Sequence, residues 1–209
     1  MNALQAVKDA VRSGMRVIAR SLNTVSGGKL HPDTVTIFGF LMHVPIAILI
    51  ATRHPLWAAL LLVIFGLFDT LDGELARLQK RSSNAGMLLD ASTDRMKEVL
   101  LYGGASYFLV TGAHSKMAVW ATVAVGASLC VSYVKAKGEA AVASMEGTID
   151  HHKLNHMFKD GLFTFEVRMA VLVIGLLIGY LGWAIAVIAV FASYTALGRL
   201  IRISKTLKA

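Results

Sequence analysis

The sequence predicts an all-α integral membrane protein with six transmembrane helices preceded by an amphipathic interfacial helix. Three observations lead there. Of the 209 residues, 56% are hydrophobic, and the mean hydropathy of +0.61 is high for a soluble domain. The apolar residues fall into six runs that approach membrane-spanning length. Lysine and arginine collect in alternate connections between those runs, which is how membrane topology sorts charge. The chain accordingly divides into a cytoplasmic interfacial helix and turn over residues 1–30 and a single membrane domain over residues 31–209.

The first element is amphipathic. Lys8, Arg12, Arg16 and Arg20 recur every four residues, and Val7, Val11, Met15 and Ile18 form an apolar stripe beside them. Such a helix lies on an anionic membrane surface. The turn SGGKLHPD ends it, and the six runs follow at about residues 34–52, 56–79, 84–111, 116–141, 163–181 and 183–203. Pro45 is expected to kink the first. Pro55 opens the second, where a missing N–H does little harm, and Ser82, Ser83 and Asn84 offer caps for the third. In the fifth, Gly175 and Gly179 (GLLIG) suit close helix packing, within the chain or in a dimer.

Basic residues set the orientation. With the N-terminus inside, six spans return the C-terminus inside, and only Arg53 and Lys116 fall in outer connections. Both termini are therefore expected in the cytoplasm. A formal charge of +8 would suggest nucleic acid for a soluble protein. Here it reflects cytoplasmic connections and anionic lipid headgroups, and no nucleic-acid partner is expected. The single cysteine, Cys130, excludes an intramolecular disulfide and a cysteine-rich zinc site. The basic, amphipathic start carries no uninterrupted apolar core of a cleavable signal peptide. The polar 143–161 connection carries His151, His152 and His156. It reads as a solvated loop, because no acidic or cysteine partner completes a ligand set. His43, in the first run, reads as a packed polar residue.

The chemistry lies in FDTLDGELARLQKRSSNAGMLLDASTDR, from Phe68 to Arg95. Asp69 and Asp72 are spaced i,i+3, and Asp90 and Asp94 i,i+4, so each pair shares one helix face. Charged groups at membrane depth are expensive and mark function. Ordinary helix-end charges would account for Asp90 and Asp94 but not for Asp69, which follows LLVIFGLF. Packed face to face, two such helices bring four carboxylates together, and one or two divalent cations relieve their repulsion.

Every fixed position of the pattern D-x2-D-G-x2-A-R-x8-G-x3-D-x3-D is present: Asp69, Asp72, Gly73, Ala76, Arg77, Gly86, Asp90 and Asp94. The stretch resembles the signature of the CDP-alcohol phosphotransferases, membrane enzymes of phospholipid headgroup synthesis. The resemblance implies that an alcohol hydroxyl attacks the phosphorus of a CDP-linked lipid and that CMP leaves. Asp69, Asp72 and Asp90 are then metal ligands for Mg2+ or Mn2+, expected as two ions. Asp94 is the presumed general base, with a second role near the metals. Gly73, Ala76, Arg77 and Gly86 receive the nucleotide. Pro32, Asp33 and Thr36, in LHPDTVTIFG, match the family's entry to the first span and join the nucleotide set. Asp33 serves equally well as a helix N-cap.

The acceptor is signalled by SYVKAKGEA, Ser132 to Ala140, and by FEVRMAVL, which opens the fifth run. The first resembles the SYxKARAE stretch of phosphatidylinositol-phosphate synthases, with Lys137 in place of arginine and Gly138 in place of alanine. Arg168 aligns with the second arginine of their ERxERL pattern, and Phe165 occupies the position of the first. Lys135, Lys137 and Arg168 are thus the expected acceptor contacts, with inositol phosphate as guest. Glycerol phosphate, serine and a free polyol are the alternatives. The family often forms homodimers, and the chain is compatible with one. An ion or solute transporter also carries intramembrane acids, but it has no need of Gly73, Ala76 and Arg77 at these spacings, and no inverted repeat is apparent.

Overall fold

The computed structural model describes residues 3–143 and 163–207. The histidine-rich stretch from His151 to His156 lies outside them. Among the described residues all regular structure is helical. Helix α1, Ala3–Val25, is the amphipathic element. It ends on two glycines in the left-handed region, Gly27 (φ 59°) and Gly28 (φ 74°), and the Gly28 amide closes back onto the Asn23 carbonyl at 2.8 Å. The stripe that packs is Met15, Ala19 and Leu22, against Val35, Leu71 and Leu75. Val11 and Ile18 remain exposed. The expected apolar stripe is therefore rotated by about one residue, toward the neighbouring helices.

The first run is two helices, α2 (Pro32–Leu41) and α3 (His43–Ala51), joined at Met42. Pro45 explains the break. It has no amide for the Leu41 carbonyl, and its ring crowds that carbonyl, so the discontinuity falls a turn before the proline. The second run is likewise divided, into α4 (Pro55–Gly66) and α5 (Phe68–Gln79). Pro55 stands at the start of α4 as expected. Lys80, in the left-handed conformation (φ 55°), stops α5. Helix α6 spans Asn84–Val110, and Ser83 Oγ caps it by accepting from the Gly86 amide at 3.0 Å. A 3-10 turn at Ser115–Ala118 leads into α7, Val119–Ala143. The last two helices are α8, Phe165–Leu177, and α9, Leu181–Thr206.

Among the described residues, four helical stretches are long and apolar enough to cross a membrane: Pro32–Ala51, Pro55–Gln79, Ser115–Val142 and Leu181–Lys205. Helix α6 is interrupted by its charged residues, and α8 is short. Large apolar side chains such as Ile48, Leu60, Val63, Val190 and Leu197 face outward, as in a protein whose solvent is lipid tails.

Helices α3, α4, α6, α7, α8 and α9 share a core that includes Ile46, Leu62, Leu101, Leu172 and Ile185. Small residues set the spacing. A Cβ on Gly104 of α6 would overlap the Ala47 carbonyl of α3, and one on Gly175 of α8 would overlap Ala184 of α9. Gly175 thus packs within the chain, whereas Gly179 serves the turn, with φ 76°. At the other end α2 touches both α5 and α6, and α1 covers α5. That arrangement places the two aspartate-bearing helices around one opening.

Candidate active site

Helix α5 presents Asp69 and Asp72 one turn apart, and α6 presents Asp90 opposite them. One oxygen from each comes within 4.8 Å of the others. Asp72 is buried, and the other two are half-buried. The hydroxyl of Thr36, on α2, donates to Asp72 Oδ2 at 2.5 Å, which fixes that carboxylate's rotamer. Asp90 Oδ1 is buried with no hydrogen-bond partner. A buried carboxylate oxygen without a donor is costly, and three converging carboxylates repel one another. A hard divalent cation satisfies both conditions, so the residues present fit a metal.

Asp94 lies outside this triad. Lys97, one turn further along α6, places its ammonium 3.1 Å from Asp94 Oδ1 and 2.5 Å from Asp69 Oδ1. Asp94 also comes within hydrogen-bond reach of Asp69, so the four carboxylates gather as expected, three of them around one point and the fourth beside Asp69 with Lys97 between the two.

A cavity of about 420 Å³ opens beside the triad. Asp69, Asp72, Asp90, Gly73, Ala76, Gly86, Pro32, Asp33, Thr36 and Arg77 all line it, as do Arg12 and Arg81. A Cβ on Gly86 would stand 3.3 Å from Ser83 Oγ and 3.5 Å from Asp33 Oδ1. Glycine thus keeps that wall open. The cap of α2 is His31, whose ring accepts from the Asp33 amide at 3.3 Å, so Asp33 is not the N-cap and its carboxylate belongs to the cavity wall.

Three arginines converge on Glu74, which is 4% exposed. Arg77 Nη2 lies 2.7 Å away, Arg16 Nε 3.2 Å and Arg12 Nε 3.7 Å. One buried carboxylate thus gathers three guanidinium groups, of which Arg12 and Arg77 line the cavity, with two positive charges in surplus. The sequence reading missed Glu74, and with it the fact that α1 reaches the site. Part of the signal was available: Glu74 stands three residues before Arg77 on α5, the spacing of an ion pair on one helix face.

The expected acceptor contacts do not line the cavity. Lys135 is exposed and pairs with Glu139 at 3.7 Å, and Lys137 lies 5.9 Å from the Tyr133 ring. Arg168 is buried. Its Nε and Nη2 donate to Glu98 at 2.6 and 3.1 Å, and its Nη1 donates to the Phe163 carbonyl at 2.7 Å. Glu98 also accepts from Arg95 Nη1 at 2.6 Å, and Arg95 Nη2 stands 3.8 Å from Asp94 Oδ2. Arg168 is thus linked to Asp94 through Glu98 and Arg95. Nearby, the buried Arg199 donates from Nη1 to the Val131 carbonyl at 3.2 Å, and its Nε has no partner. Lys97, Arg95, Glu98 and Arg199 were all missed by the sequence reading. The first three share the α6 face of Asp94 or its flank by i,i+1 to i,i+4 spacing, whereas nothing local marks Arg199.

A family model for CDP-alcohol phosphatidyltransferases matches residues 29–195. The chain belongs to this family. The transferase is 32% identical over 190 residues to the phosphatidylinositol phosphate synthase of Corynebacterium glutamicum, which covers 85% of this chain and 80% of that one. It is 36% identical over 118 residues to the synthase of the same name from Mycobacteroides abscessus, covering 56% of this chain and 54% of that one. A bifunctional IPC transferase and DIPP synthase of Rubrobacter xylanophilus matches at 32% over 178 residues, 84% of this chain and 38% of that one. In fold, the transferase resembles the Mycobacterium tuberculosis phosphatidylinositol phosphate synthase with CDP-DAG bound. The TM-score is 0.76 at 24% identity, covering 90% of this chain and 92% of that one. The same enzyme in complex with manganese and citrate aligns with a TM-score of 0.73 at 24% identity, over 91% and 88% of the two chains. The matched region begins after α1, so the arginines that α1 lends to the cavity stand outside it.

Proposed function

We propose that the transferase moves the phosphatidyl group of CDP-diacylglycerol to a hydroxyl of inositol phosphate and releases CMP. The observation that carries the reaction class is the triad of Asp69, Asp72 and Asp90 at the wall of a cavity kept open by Gly73, Ala76 and Gly86 and rimmed by Arg12 and Arg77. When bound, Mg2+ or Mn2+ neutralises the pyrophosphate and the departing CMP. The chain's own residues do the rest. Thr36 holds Asp72 in its ligating rotamer. Gly73 and Ala76 let the nucleotide lie against α5. Arg12 and Arg77, aimed by Glu74, pair with donor phosphate oxygens. Asp94 removes the proton of the acceptor hydroxyl, its free side facing Arg95.

Three observations favour a phosphorylated acceptor. Arg95 stands beside Asp94. Arg199 is buried with an unpartnered Nε, within electrostatic reach of Arg95, Arg168 and Arg202. Lys135 lies one turn along α7 from the Val131 carbonyl that Arg199 holds. These cations suit an anionic guest. The phosphatidylinositol phosphate synthases among the relatives place inositol phosphate ahead of glycerol phosphate, serine or a free polyol.

The same reading puts six spans in the cytoplasmic membrane, α1 on its inner surface and both termini in the cytoplasm, where inositol phosphate arrives from solution and CMP leaves into it. A homodimer fits the apolar outer faces. The test is a panel of phosphorylated and neutral acceptors, each given with CDP-diacylglycerol and Mg2+ or Mn2+, with the lipid products weighed by mass spectrometry. A phosphorylated inositol lipid and equimolar CMP are expected. Product from a neutral alcohol alone refutes the acceptor assignment, and absence of CMP with every acceptor refutes the reaction.

A further inference from the structure

Arg12, Arg16 and Arg20 form one row along α1, each four residues from the next. Arg16 Nε lies 3.2 Å from Glu74 and Arg12 Nε 3.7 Å. Arg20, further along the row, is exposed and stands outside the cavity lining. Glu74 is only 4% exposed, whereas the side chains of Arg12 and Arg16 are 58% and 53% exposed. Each of these two arginines therefore meets a buried carboxylate on one side and open surroundings on the other.

A basic helix on an anionic leaflet is drawn to headgroup phosphates, by about fivefold for each arginine at the surface. Arg12, which lines the cavity, cannot serve headgroups and a donor phosphate at once. Glu74 settles that competition. A carboxylate shielded from water attracts a cation more strongly than a solvated headgroup does at the same distance. Without its charge, Arg12, Arg16 and Arg77 would be three like charges gathered at one point, and they would repel. The helix itself is fastened elsewhere. Met15, Ala19 and Leu22 pack with Leu71 and Leu75, and Gln79 Nε2 donates to Asn23 Oδ1 and to the Leu30 carbonyl, both at 2.9 Å. These contacts lie C-terminal to Arg12. They hold α1 in place and leave the direction of the Arg12 side chain to Glu74.

We propose that Glu74 is a positioning residue that keeps the α1 arginines at the donor cavity against the competing pull of anionic phospholipid headgroups. It makes donor affinity indifferent to the charge of the leaflet on which α1 lies. This rests on the phosphotransfer reading of the cavity.

The test measures the KM for CDP-diacylglycerol, as a surface fraction, on the full-length protein at saturating inositol phosphate. It compares vesicles of phosphatidylcholine alone with vesicles in which phosphatidylglycerol makes up about 40% of the lipid. The wild-type KM should be the same in both to within about twofold, well below the pull on one arginine. For Glu74→Gln, the ratio of variant to wild-type KM should grow by about fivefold from neutral to anionic vesicles, beyond any loss already present in the neutral ones, and the ratio of kcat values should not change. Glu74→Asp keeps the charge and Arg20→Gln keeps the pairing, so each should hold a constant KM ratio. A constant ratio in Glu74→Gln, a wild-type KM that itself rises about fivefold, or a growing ratio in Glu74→Asp or Arg20→Gln each overturn the proposal. Should Glu74→Gln fail to fold, Arg16→Gln takes its place. There α1 keeps only the longer Arg12 contact to Glu74, and the ratio should grow in the same way; a constant one overturns the proposal. Absence of CMP from the wild type in both lipids overturns the phosphotransfer reading instead.

Discussion

At the scale of single residues, the acids of the site separate by role. Asp69, Asp72 and Asp90 share one point, so replacing any of them by Asn removes a third of the ligand set while conserving shape. Each variant should lose most metal-dependent CMP release and still elute as a folded, detergent-extracted protein. Near-normal turnover in two of the three refutes the assignment. Asp94 adjoins Asp69 and pairs with Lys97. Asp94→Asn should lower kcat by about 10²–10⁴-fold, the usual worth of a general base, and leave CDP-diacylglycerol affinity nearly intact. An equal fall in affinity would make Asp94 a binding residue instead. Arg168 belongs to a different class. It is buried with each guanidinium nitrogen donating once, two of them to Glu98. Removing one partner of such a pair leaves an uncompensated buried charge and costs about 3–5 kcal/mol. Arg168→Ala should therefore lower the unfolding midpoint in detergent. The double variant Arg168→Met, Glu98→Gln should recover much of that loss, whereas a residue acting only through substrate contact would show no such recovery.

At the scale of elements, the amphipathic helix α1 takes part in the site. Its Arg12 and Arg16 share Glu74 with Arg77 of α5, and its Ala19 packs in the small core with Leu71 and Leu75. Glu74→Gln keeps the size of the side chain and removes the charge that gathers the arginines. It should raise the apparent KM for CDP-diacylglycerol by about tenfold, the loss of roughly one charge-assisted contact, with a smaller effect on the acceptor. An unchanged donor KM would show that the arginines serve only the membrane. The break between α2 and α3 is the second element-level device. It follows from Pro45 and lets α2 lean on both α5 and α6, which brings Thr36 to Asp72. The close approach of α3 and α6 at Gly104 fixes the register of α6, and with it the height of Asp90.

At the scale of the molecule, the proposed topology puts the 80–83 connection in the cytoplasm and the 111–118 connection outside. Cys130 is the only native cysteine, so a Cys130→Ala background permits clean labelling. A cysteine at Lys80 should react with a membrane-impermeant maleimide only after the cells are opened. One at Lys116 should react in intact cells. The reverse pattern inverts the protein, and labelling of both from outside rules out the intervening span.

The sequence by itself determined the helical membrane class, the helix positions to within a few residues, and the acids, glycines, alanine and arginine that line the cavity. Those features are local. Hydropathy has a length, an aspartate pair has a spacing, and a buried charge in an apolar run declares its cost wherever it is read. Only the tertiary structure decided that Lys97 reaches Asp69 across to α5, that Glu74 draws α1 into the site, and that Arg168 spends its guanidinium on Glu98. Each of these depends on which charge meets which across helices that lie far apart in the chain: Arg16 and Glu74, Asp69 and Lys97, Glu98 and Arg168. Composition and spacing fix how many charges a helix carries and on which face. In a medium with little water to solvate them, packing geometry selects the partners, and the partners decide which acids remain open to a metal and which are already satisfied.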